Sequence, residues 1–391
     1  MRAFSVRASS NIVRLEAVDP HVRAIGTMDL KPEAALCTST RSERRGAWRR
    51  VMAEAENLID RGDMDAALAR AREAAKAVQA LRDAKSFRRT ARALLAVSDW
   101  GTHGQITALA ERLERPDGPA EWDGSPLGTL VINRREPIHV SRPIRFAWLL
   151  GAAKARVERC IVLTDPRLVP LFKRSFPDVD VRASGPEDHE TVAKADALAG
   201  FHTLVQLFGF DDRTIRAGFR PLLPDPLLVR EIRARYGAGP LIGISWASIN
   251  RRKSLPSLAQ WARFLRDTEA TYVSLQYGDV AADVAELRRL SGREVIHDKT
   301  VDSLLDLDTY AAQVAAMDVV VTVSNSGAHM AGAVGARTIV VVDEIREANL
   351  SWPLRADVTP WYASLTILRK RDRSWREAFS STRAMVERQP G

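Results

Sequence analysis

Val319–Val323 form an unbroken run of β-branched residues, and this run limits the fold more than any other stretch of the sequence. Such a run is typical of a strand buried on both faces, as in a parallel sheet. A short polar turn, residues 324–329, follows at once, and the small residues 330–335 then read as the start of a helix. A strand, a turn and a helix in this order point free backbone N–H groups away from the sheet.

The turn at residues 324–329 suits an anion such as a diphosphate. The N–H groups and the dipole of the helix favour negative charge there. Ser324 or Asn325 can cap the helix, Gly327 permits close approach of a ligand, and His329 can add a switchable donor. A plain helix cap with a buried histidine explains the same residues equally well.

Apolar strands and helices alternate through most of the remaining chain. Strands are predicted at 129–133, 160–164, 179–182, 241–246, 271–276, 294–297, 319–323 and 338–342. Between the first strands, one helix is predicted over 142–155 and another over 166–175. This alternation predicts an α/β protein with two facing, doubly wound parallel sheets of the Rossmann-like kind. Ligands of such sheets bind beyond the carboxyl ends of the strands.

Five segments follow from the pattern. Residues 1–45 form a poorly defined N-terminal segment, and 46–115 are predicted to be helical. Residues 116–236 make a first α/β domain and 237–352 a second. Residues 353–391 are predicted to form C-terminal helices.

The composition excludes several classes of protein. No apolar run approaches the roughly 20 residues that span a bilayer. Only Cys37 and Cys160 occur, far apart, which argues for a reducing compartment and against structural zinc. The net charge is +9, but basic and acidic residues are interleaved, so nucleic acid is not an expected partner. With no secretory signal at the start, the expected location is the cytoplasm.

Residues 46–115 are rich in alanine, leucine and arginine. A tight turn at Gly62 separates two predicted helices, and small residues at Ala66, Ala67 and Ala74 allow the helices to approach closely. This pattern resembles the centre of a tetratricopeptide repeat, a motif that stacks helical pairs into a peptide-binding groove. An ordinary helical cap on the next domain is the alternative.

Two loops at the carboxyl ends of the second domain's strands carry polar groups. Arg251, Arg252 and Lys253 follow the strand at 241–246, where cations suit phosphate. Gln276 ends the strand at 271–276, and its amide could read a base or a ribose, or could close a turn. Ser245 is a further polar residue at the first of these strand ends.

Several motifs in order along residues 116–375 resemble a bacterial glycosyltransferase family that carries tetratricopeptide repeats. The motifs are Trp-Asp-Gly-Ser-Pro-Leu at 122–127, the segment 165–172, Gly-Ile-Ser-Trp at 243–246, Lys-Ser-Leu-Pro at 253–256, Ser-Leu-Gln-Tyr-Gly-Asp at 274–279, the segment 323–335, and Pro-Trp-Tyr at 360–362. The resemblance implies a GT-B fold in which residues 116–236 are the acceptor-side domain and residues 237–352 hold most of the nucleotide-sugar. It also implies that the helices predicted over 353–391 cross back to the first domain, with the tryptophans there as core and hinge residues. The family is distantly similar to bacterial heptosyltransferases and to protein O-linked N-acetylglucosamine transferases, and some of its members modify proteins.

One departure from this family concerns the first domain. The family usually carries a Gly-x-Gly-Asp turn, whose Asp is the expected base in heptosyltransferases, and Arg142 stands at the matching position here. An arginine cannot act as a base near neutral pH. Glu136, His139 or His329 could take over this catalytic role by residue type. Otherwise the chemistry is lost, or Arg142 pairs with an anionic acceptor.

The sequence thus predicts a glycosyltransferase that moves a sugar from a nucleotide-sugar to a protein or glycan acceptor. Positive charge at the leaving diphosphate makes a metal or other cofactor unnecessary in this hypothesis. A catalytically degenerate protein, acting as a nucleotide-binding or protein-interaction scaffold, is the alternative. The predicted donor-binding residues are Ser245, Arg251, Lys253, Gln276, Asn325, Ser326, Gly327 and His329.

Overall fold

The structure is a computed structural model, and it is described here for the residues whose placement is defined. These are residues 40–97, 99–114, 119–133, 140–185, 188–208, 218–249, 253–343, 352, 359, 361–370 and 374–387. Within these ranges, no helix combines the length and the apolar character needed to cross a bilayer.

The first domain is built on a four-stranded, all-parallel sheet in the order β3-β2-β1-β4. Its strands are β1 (Leu127–Asn133), β2 (Val157–Thr164), β3 (Asp180–Ala183) and β4 (Ala197–Ala199). Its helices are α5 (Ser141–Phe146), α6 (Leu149–Lys154), α7 (Val169–Ser175), α8 (Asp188–Ala193) and α9 (Phe201–Leu207). The single helix predicted over 142–155 is therefore two short helices.

The second domain is built on a six-stranded, all-parallel sheet in the order β10-β9-β8-β5-β6-β7. Its strands are β5 (Leu241–Ser245), β6 (Thr271–Ser274), β7 (Val295–Ile296), β8 (Val319–Val323), β9 (Thr338–Val342) and β10 (Leu365–Arg369). Its helices are α10 (Pro226–Tyr236), α11 (Leu258–Asp267), α12 (Ala281–Ser291), α13 (Leu307–Ala315), α14 (Ser326–Ala333) and α15 (Trp375–Glu387). Because β5, β8 and β9 are buried along their whole length, their apolar runs mark them clearly in the sequence.

In the described residues before the first sheet, four α-helices are present: α1 (Arg41–Arg61), α2 (Met64–Val78), α3 (Ala84–Ala96) and α4 (Trp100–Glu114). Thr40 and Glu43 form a capping box at the start of α1. Gly62 ends α1 with a φ of 77°, a left-handed conformation that glycine adopts without strain. Ala67, Ala71 and Ala74 are buried where α2 packs against its neighbours. The helical region is as predicted, while its identity as a tetratricopeptide repeat stays a prediction.

The two domains share one apolar core rather than meeting only across an open cleft. The rings of Phe146 in α5 and Trp361 lie edge to face with their centroids 5.1 Å apart. A bidentate ion pair of 2.8 Å joins Arg174 in α7 to Asp308 in α13. Both contacts connect the first domain to the second, so the described faces of the domains are held together.

The C-terminal part of the chain differs from its prediction. Residues 353–391 are predicted to cross back to the first domain as helices, but they include strand β10, which extends the second sheet. The last helix, α15, packs on the second domain, where Phe379 contacts Trp261 and Phe264 of α11. These aromatic residues are buried in a core that belongs to the second sheet alone.

Candidate functional site

The second sheet has a topological switch point between β5 and β8. From β5 the chain moves outward to β6 and β7, and it returns to β8 before moving outward the other way to β9 and β10. Helices that follow neighbouring strands at such a point diverge to opposite faces and leave a crevice at the carboxyl ends. Ser245 ends β5, and Ser324 and Asn325 follow β8, so the predicted polar residues lie at this crevice.

A buried hydrogen-bond network, which we call the strand-end network, joins the loops after β5, β6 and β8. The Gln276 side-chain carbonyl accepts hydrogen bonds from Ser245 Oγ at 2.9 Å, from the Trp246 N–H at 3.0 Å and from the Ala247 N–H at 2.8 Å. Asn325 Nδ2 donates to Ser245 Oγ at 2.7 Å and to the Ala247 carbonyl at 3.0 Å. Three of the predicted donor-binding side chains, Ser245, Gln276 and Asn325, therefore also hold the crevice together.

Helix α14 begins directly above this network. Asn325 is its N-cap, and Asn325 Oδ1 accepts a hydrogen bond from the Ala328 N–H at 3.1 Å. Ser326, the first helical residue, is exposed. A Cβ on Gly327 would lie 2.6 Å from Tyr310 Oη. The packing of Tyr310 therefore already requires a glycine at this position, and this explains Gly327 as well as the expected approach of a ligand does.

Lys253 lies at the same turn. Its ammonium group donates to the Ser324 carbonyl at 2.5 Å and to Ser324 Oγ at 2.6 Å. Lys253 is half-buried, and Ser326, two residues after Ser324 in the chain, is exposed. We call Lys253 and Ser326 the open side of the α14 turn. A fixed cation and the first N–H groups of a helix are the features that bind phosphate in many proteins.

His329 lies on the other side of the turn, which we call the interdomain side. Its imidazole is stacked on Trp352, with centroids 5.3 Å apart and an interplanar angle of 9°. Nε2 is 2.9 Å from Nη2 of Arg145 in α5, and Nδ1 is 3.1 Å from Tyr362 Oη. Because a guanidinium only donates, Nε2 accepts, and Nδ1 carries the proton that is donated to Tyr362.

Burial, followed by the charges of Arg145 and Lys253, holds the pKa of His329 well below its usual value. The imidazole is therefore neutral at pH 7, and its side chain is enclosed by both domains. In this arrangement His329 joins the two domains. Donor binding and catalysis, its two predicted roles, would each require a ligand to reach the imidazole past Trp352 or Arg145.

Arg145 is the residue that sequence reasoning missed. It lies in the first domain, is 7% exposed, and contacts a histidine of the second domain. Burial lowers the pKa of its guanidinium to about 10, so it remains a cation at neutral pH. Its sequence neighbours Ile144, Phe146 and Ala147 are all buried, and a lone arginine in such an apolar run is the signal that could have found it.

Arg142 lies half-buried in the first turn of α5. Its charge adds to burial in lowering the pKa of the Arg145 guanidinium and that of the His103 imidazole in α4. The predicted residues Glu136, His139 and Arg251 lie outside the described part of the chain. Among the described residues, no group of three His, Cys, Asp or Glu side chains has the arrangement of a metal site.

No family model matches the chain. The chain is 30% identical over 223 residues to Protein FlbA of Caulobacter vibrioides, a stretch that is 51% of this chain and 36% of FlbA. The chain therefore spans little more than a third of the length of this curated relative.

Three solved structures align with the chain at TM-scores below 0.5. ADP-heptose LPS heptosyltransferase II of E. coli is 12% identical, with a TM-score of 0.47 over 66% of this chain and 98% of that one. A glycosyl transferase of family 9 from Veillonella parvula is 12% identical, with a TM-score of 0.48 over 68% and 99%. A mutant O-GlcNAc transferase of Thermobaculum terrenum is 12% identical, with a TM-score of 0.34 over 90% and 91%.

The class of the protein follows from its own two sheets. Each sheet is all-parallel, and the chain reverses its direction of winding beside the first strand of each, β1 in one and β5 in the other. This is the two-domain, doubly wound α/β architecture that the sequence predicts.

Proposed function

We propose that this chain is a GT-B glycosyltransferase that binds the diphosphate of a nucleotide-sugar at the open side of the α14 turn. One observation carries the proposal. The Lys253 ammonium is held by Ser324, just before the N-cap of α14 and two residues before exposed Ser326, at the switch point of the second sheet. A ligand here would meet a cation, a helix N-terminus and a hydroxyl group.

These groups suit the departure of a nucleoside diphosphate. In the proposed step, an acceptor hydroxyl attacks the anomeric carbon, the bond from that carbon to the diphosphate oxygen breaks, and a base takes the hydroxyl proton. The negative charge that develops on the diphosphate is stabilised by Lys253 and by the N-terminal N–H groups of α14. Glu136 and His139 are candidates for the base by residue type, and a protein or a glycan is the proposed acceptor.

Isothermal titration with UDP-, GDP-, ADP- and CMP-sugars tests the site. We expect one of them to bind, and Lys253→Ala to weaken that binding by roughly tenfold to a hundredfold, as for a lost charge-assisted hydrogen bond. Lys194→Ala is the matched control, because Lys194 is an exposed lysine of the first domain that pairs with Glu190. If no nucleotide-sugar binds, or if both variants weaken binding equally, the proposal is wrong.

A scaffold that binds the nucleotide without transferring a sugar is the second candidate. It is favoured by the first domain, where Arg142 and buried Arg145 lie in α5 and the family's aspartate is replaced. This candidate predicts nucleotide binding that depends on Lys253 together with neither hydrolysis nor transfer. Mass spectrometry of donor and candidate acceptors after long incubation separates the two.

A further inference from the structure

Five of the exposed cations on two helices of the N-terminal region recur at helical spacing. Arg41, Arg45 and Arg49 recur every four residues along α1 and so form one stripe on that helix. Lys85 and Arg92 are two turns apart on α3 and share one face of it. The stripes do not form a continuous charge run, because Glu43 and uncharged residues interrupt the basic positions along the sequence.

The two stripes belong to adjacent helices. Arg45 Nη2 lies 3.9 Å from the carboxylate of Asp83, the residue just before α3. Three residues further along α1, Trp48 Nε1 donates a hydrogen bond of 3.0 Å to Thr90 Oγ1 in α3. The first halves of α1 and α3 therefore pack side by side. We call Arg41, Arg45, Arg49, Lys85 and Arg92 the basic face.

Asp83 pairs with Arg45 and Glu43 caps α1, whereas other carboxylates of these helices are engaged with other cations. Glu56 forms a bidentate pair with Arg89, and Asp99 pairs with Arg72. Glu54 and Glu73 both pair with Arg70.

Within the described ranges, no ion pair reaches Arg41, Arg49, Lys85 or Arg92. Residues 41–97 also carry most of the net charge of +9. The basic face thus has positive charge that the described chain leaves uncompensated.

We infer that the basic face binds a short acidic segment of a partner protein. The stripe from Arg41 to Arg49 is about 12 Å long at 1.5 Å per residue, which matches about four residues of extended chain. Arginine forks bind carboxylates in a bidentate manner, and arginine supplies three of the five cations.

Nucleic acid and membrane fit this surface less well. Single-stranded nucleic acid stacks its bases on exposed aromatic rings, but Trp48 is buried, and the large hydrophobic side chains exposed in the described ranges are leucines and an isoleucine. A membrane surface favours apolar side chains beside the cations. In the described helical region the exposed large hydrophobic residue is Leu113, at the end of α4. The inference does not rest on the proposed transferase activity.

Fluorescence anisotropy of a labelled hexaglutamate peptide with the full chain tests the inference. We expect binding that weakens with salt, and at least a tenfold loss in each of two double variants, Arg41→Glu/Arg49→Glu and Lys85→Glu/Arg92→Glu. Because all four positions are exposed, the melting temperature of each should stay close to that of the wild type. Gln versions of the same pairs provide a milder change, for which we expect an intermediate loss.

Lys194→Glu/Arg288→Glu is the charge-matched control, with two exposed cations of other domains. Less than a twofold change in this control supports a localised face, whereas an equal loss shows only a general charge effect and overturns the inference. Absence of peptide binding overturns it as well. So does tighter binding, with the same dependence on the basic face, of a thymidine hexanucleotide or of phosphatidylserine vesicles. Neither of the double variants alters Lys253, so nucleotide-sugar binding serves as an independent readout.

Discussion

The two sides of the first turn of α14 differ sharply although they are three residues apart. On the open side, Ser326 is exposed and Lys253 is half-buried. On the interdomain side, His329 is 5% exposed, stacked on Trp352 and hydrogen-bonded to Arg145 of the other domain. The same short motif therefore offers groups to a ligand on one side and joins the two domains on the other. A motif match identifies the turn, but the burial of each residue determines whether it faces a ligand or packs between the domains.

The largest effect is expected on the interdomain side, from Trp352→Ala. Trp352 is fully buried, and its Nε1 donates a hydrogen bond of 2.7 Å to Ser324 Oγ. Removing the ring leaves a cavity beside His329, so we expect the free energy of unfolding to fall by about 3–5 kcal/mol. Urea denaturation measures this decrease in the free energy of unfolding. Leu305→Ala, at a leucine that is 74% exposed, is the control and should change stability by less than about 0.5 kcal/mol. A loss below about 1 kcal/mol for Trp352→Ala would contradict the packing on this side.

Gln276→Ala tests the strand-end network, on which both sides of the α14 turn rest. The change removes the acceptor shared by Ser245 and the N–H groups of Trp246 and Ala247. Leaving buried donors unsatisfied should cost about 1–3 kcal/mol of unfolding free energy in urea denaturation. Gln260→Ala, which alters an exposed helix cap, is the comparison and should cost about 1 kcal/mol or less. An unchanged stability with lost nucleotide binding would instead make Gln276 a ligand contact alone.

The sequence predicts strands best where a strand is buried along its whole length, because such burial produces an unbroken apolar run. Val319–Val323 and Thr338–Val342 are strands with the bounds that their apolar runs predict. Ala197–Ala199 and Leu365–Arg369 were not predicted as strands, since the first is short and lacks β-branched residues and the second alternates in burial. The burial of the tryptophans near the C-terminus is as expected.

The candidate site was predictable only in part, because its contacts are long-range. The sequence places Ser245, Gln276 and Asn325 at strand ends, but not the hydrogen bonds by which they hold one another. Arg145 reaches His329 across 184 residues of chain, and nothing local to either residue indicates that contact. Sequence periodicity reports which face a residue occupies, whereas the partner it meets there is set by how the domains pack.

Lowering the pH should weaken the interdomain side. His329 is neutral when folded because burial, Arg145 and Lys253 depress its pKa, while an unfolded histidine binds a proton near pH 6.5. Trp352 and Tyr362, the other groups packed on the ring, are uncharged at these pH values. Stability from this group is therefore fully present above about pH 6.5 and is lost as the pH falls, by about 1.4 kcal/mol per pH unit.

Urea denaturation at pH 7.5 and 5.5 measures this loss. His329→Gln should show a smaller decrease than the wild type by about 1.4 kcal/mol, because one proton-binding group has been removed from the unfolded state. Burial also lowers the pKa of His103 to about 4, so His103→Gln should behave similarly and serves as the positive control. Parallel decreases in the wild type and His329→Gln would mean that the His329 ring is charged or exposed in the folded protein.

The smallest change in stability, and the sharpest separation of the two sides, is expected from Ser326. Ser326→Ala at this exposed first helical position should alter the free energy of unfolding by less than about 0.5 kcal/mol, while nucleotide-sugar binding weakens about fivefold through one lost hydrogen bond. Ser326→Asp goes further, because an anion at a helix N-terminus stabilises the helix by about 0.3–1 kcal/mol but repels a diphosphate. Melting temperature and affinity should therefore move in opposite directions in Ser326→Asp. If its affinity is unchanged, no anionic ligand binds at the open side; if its stability falls, Ser326 takes part in packing, and the distinction between the two sides is lost.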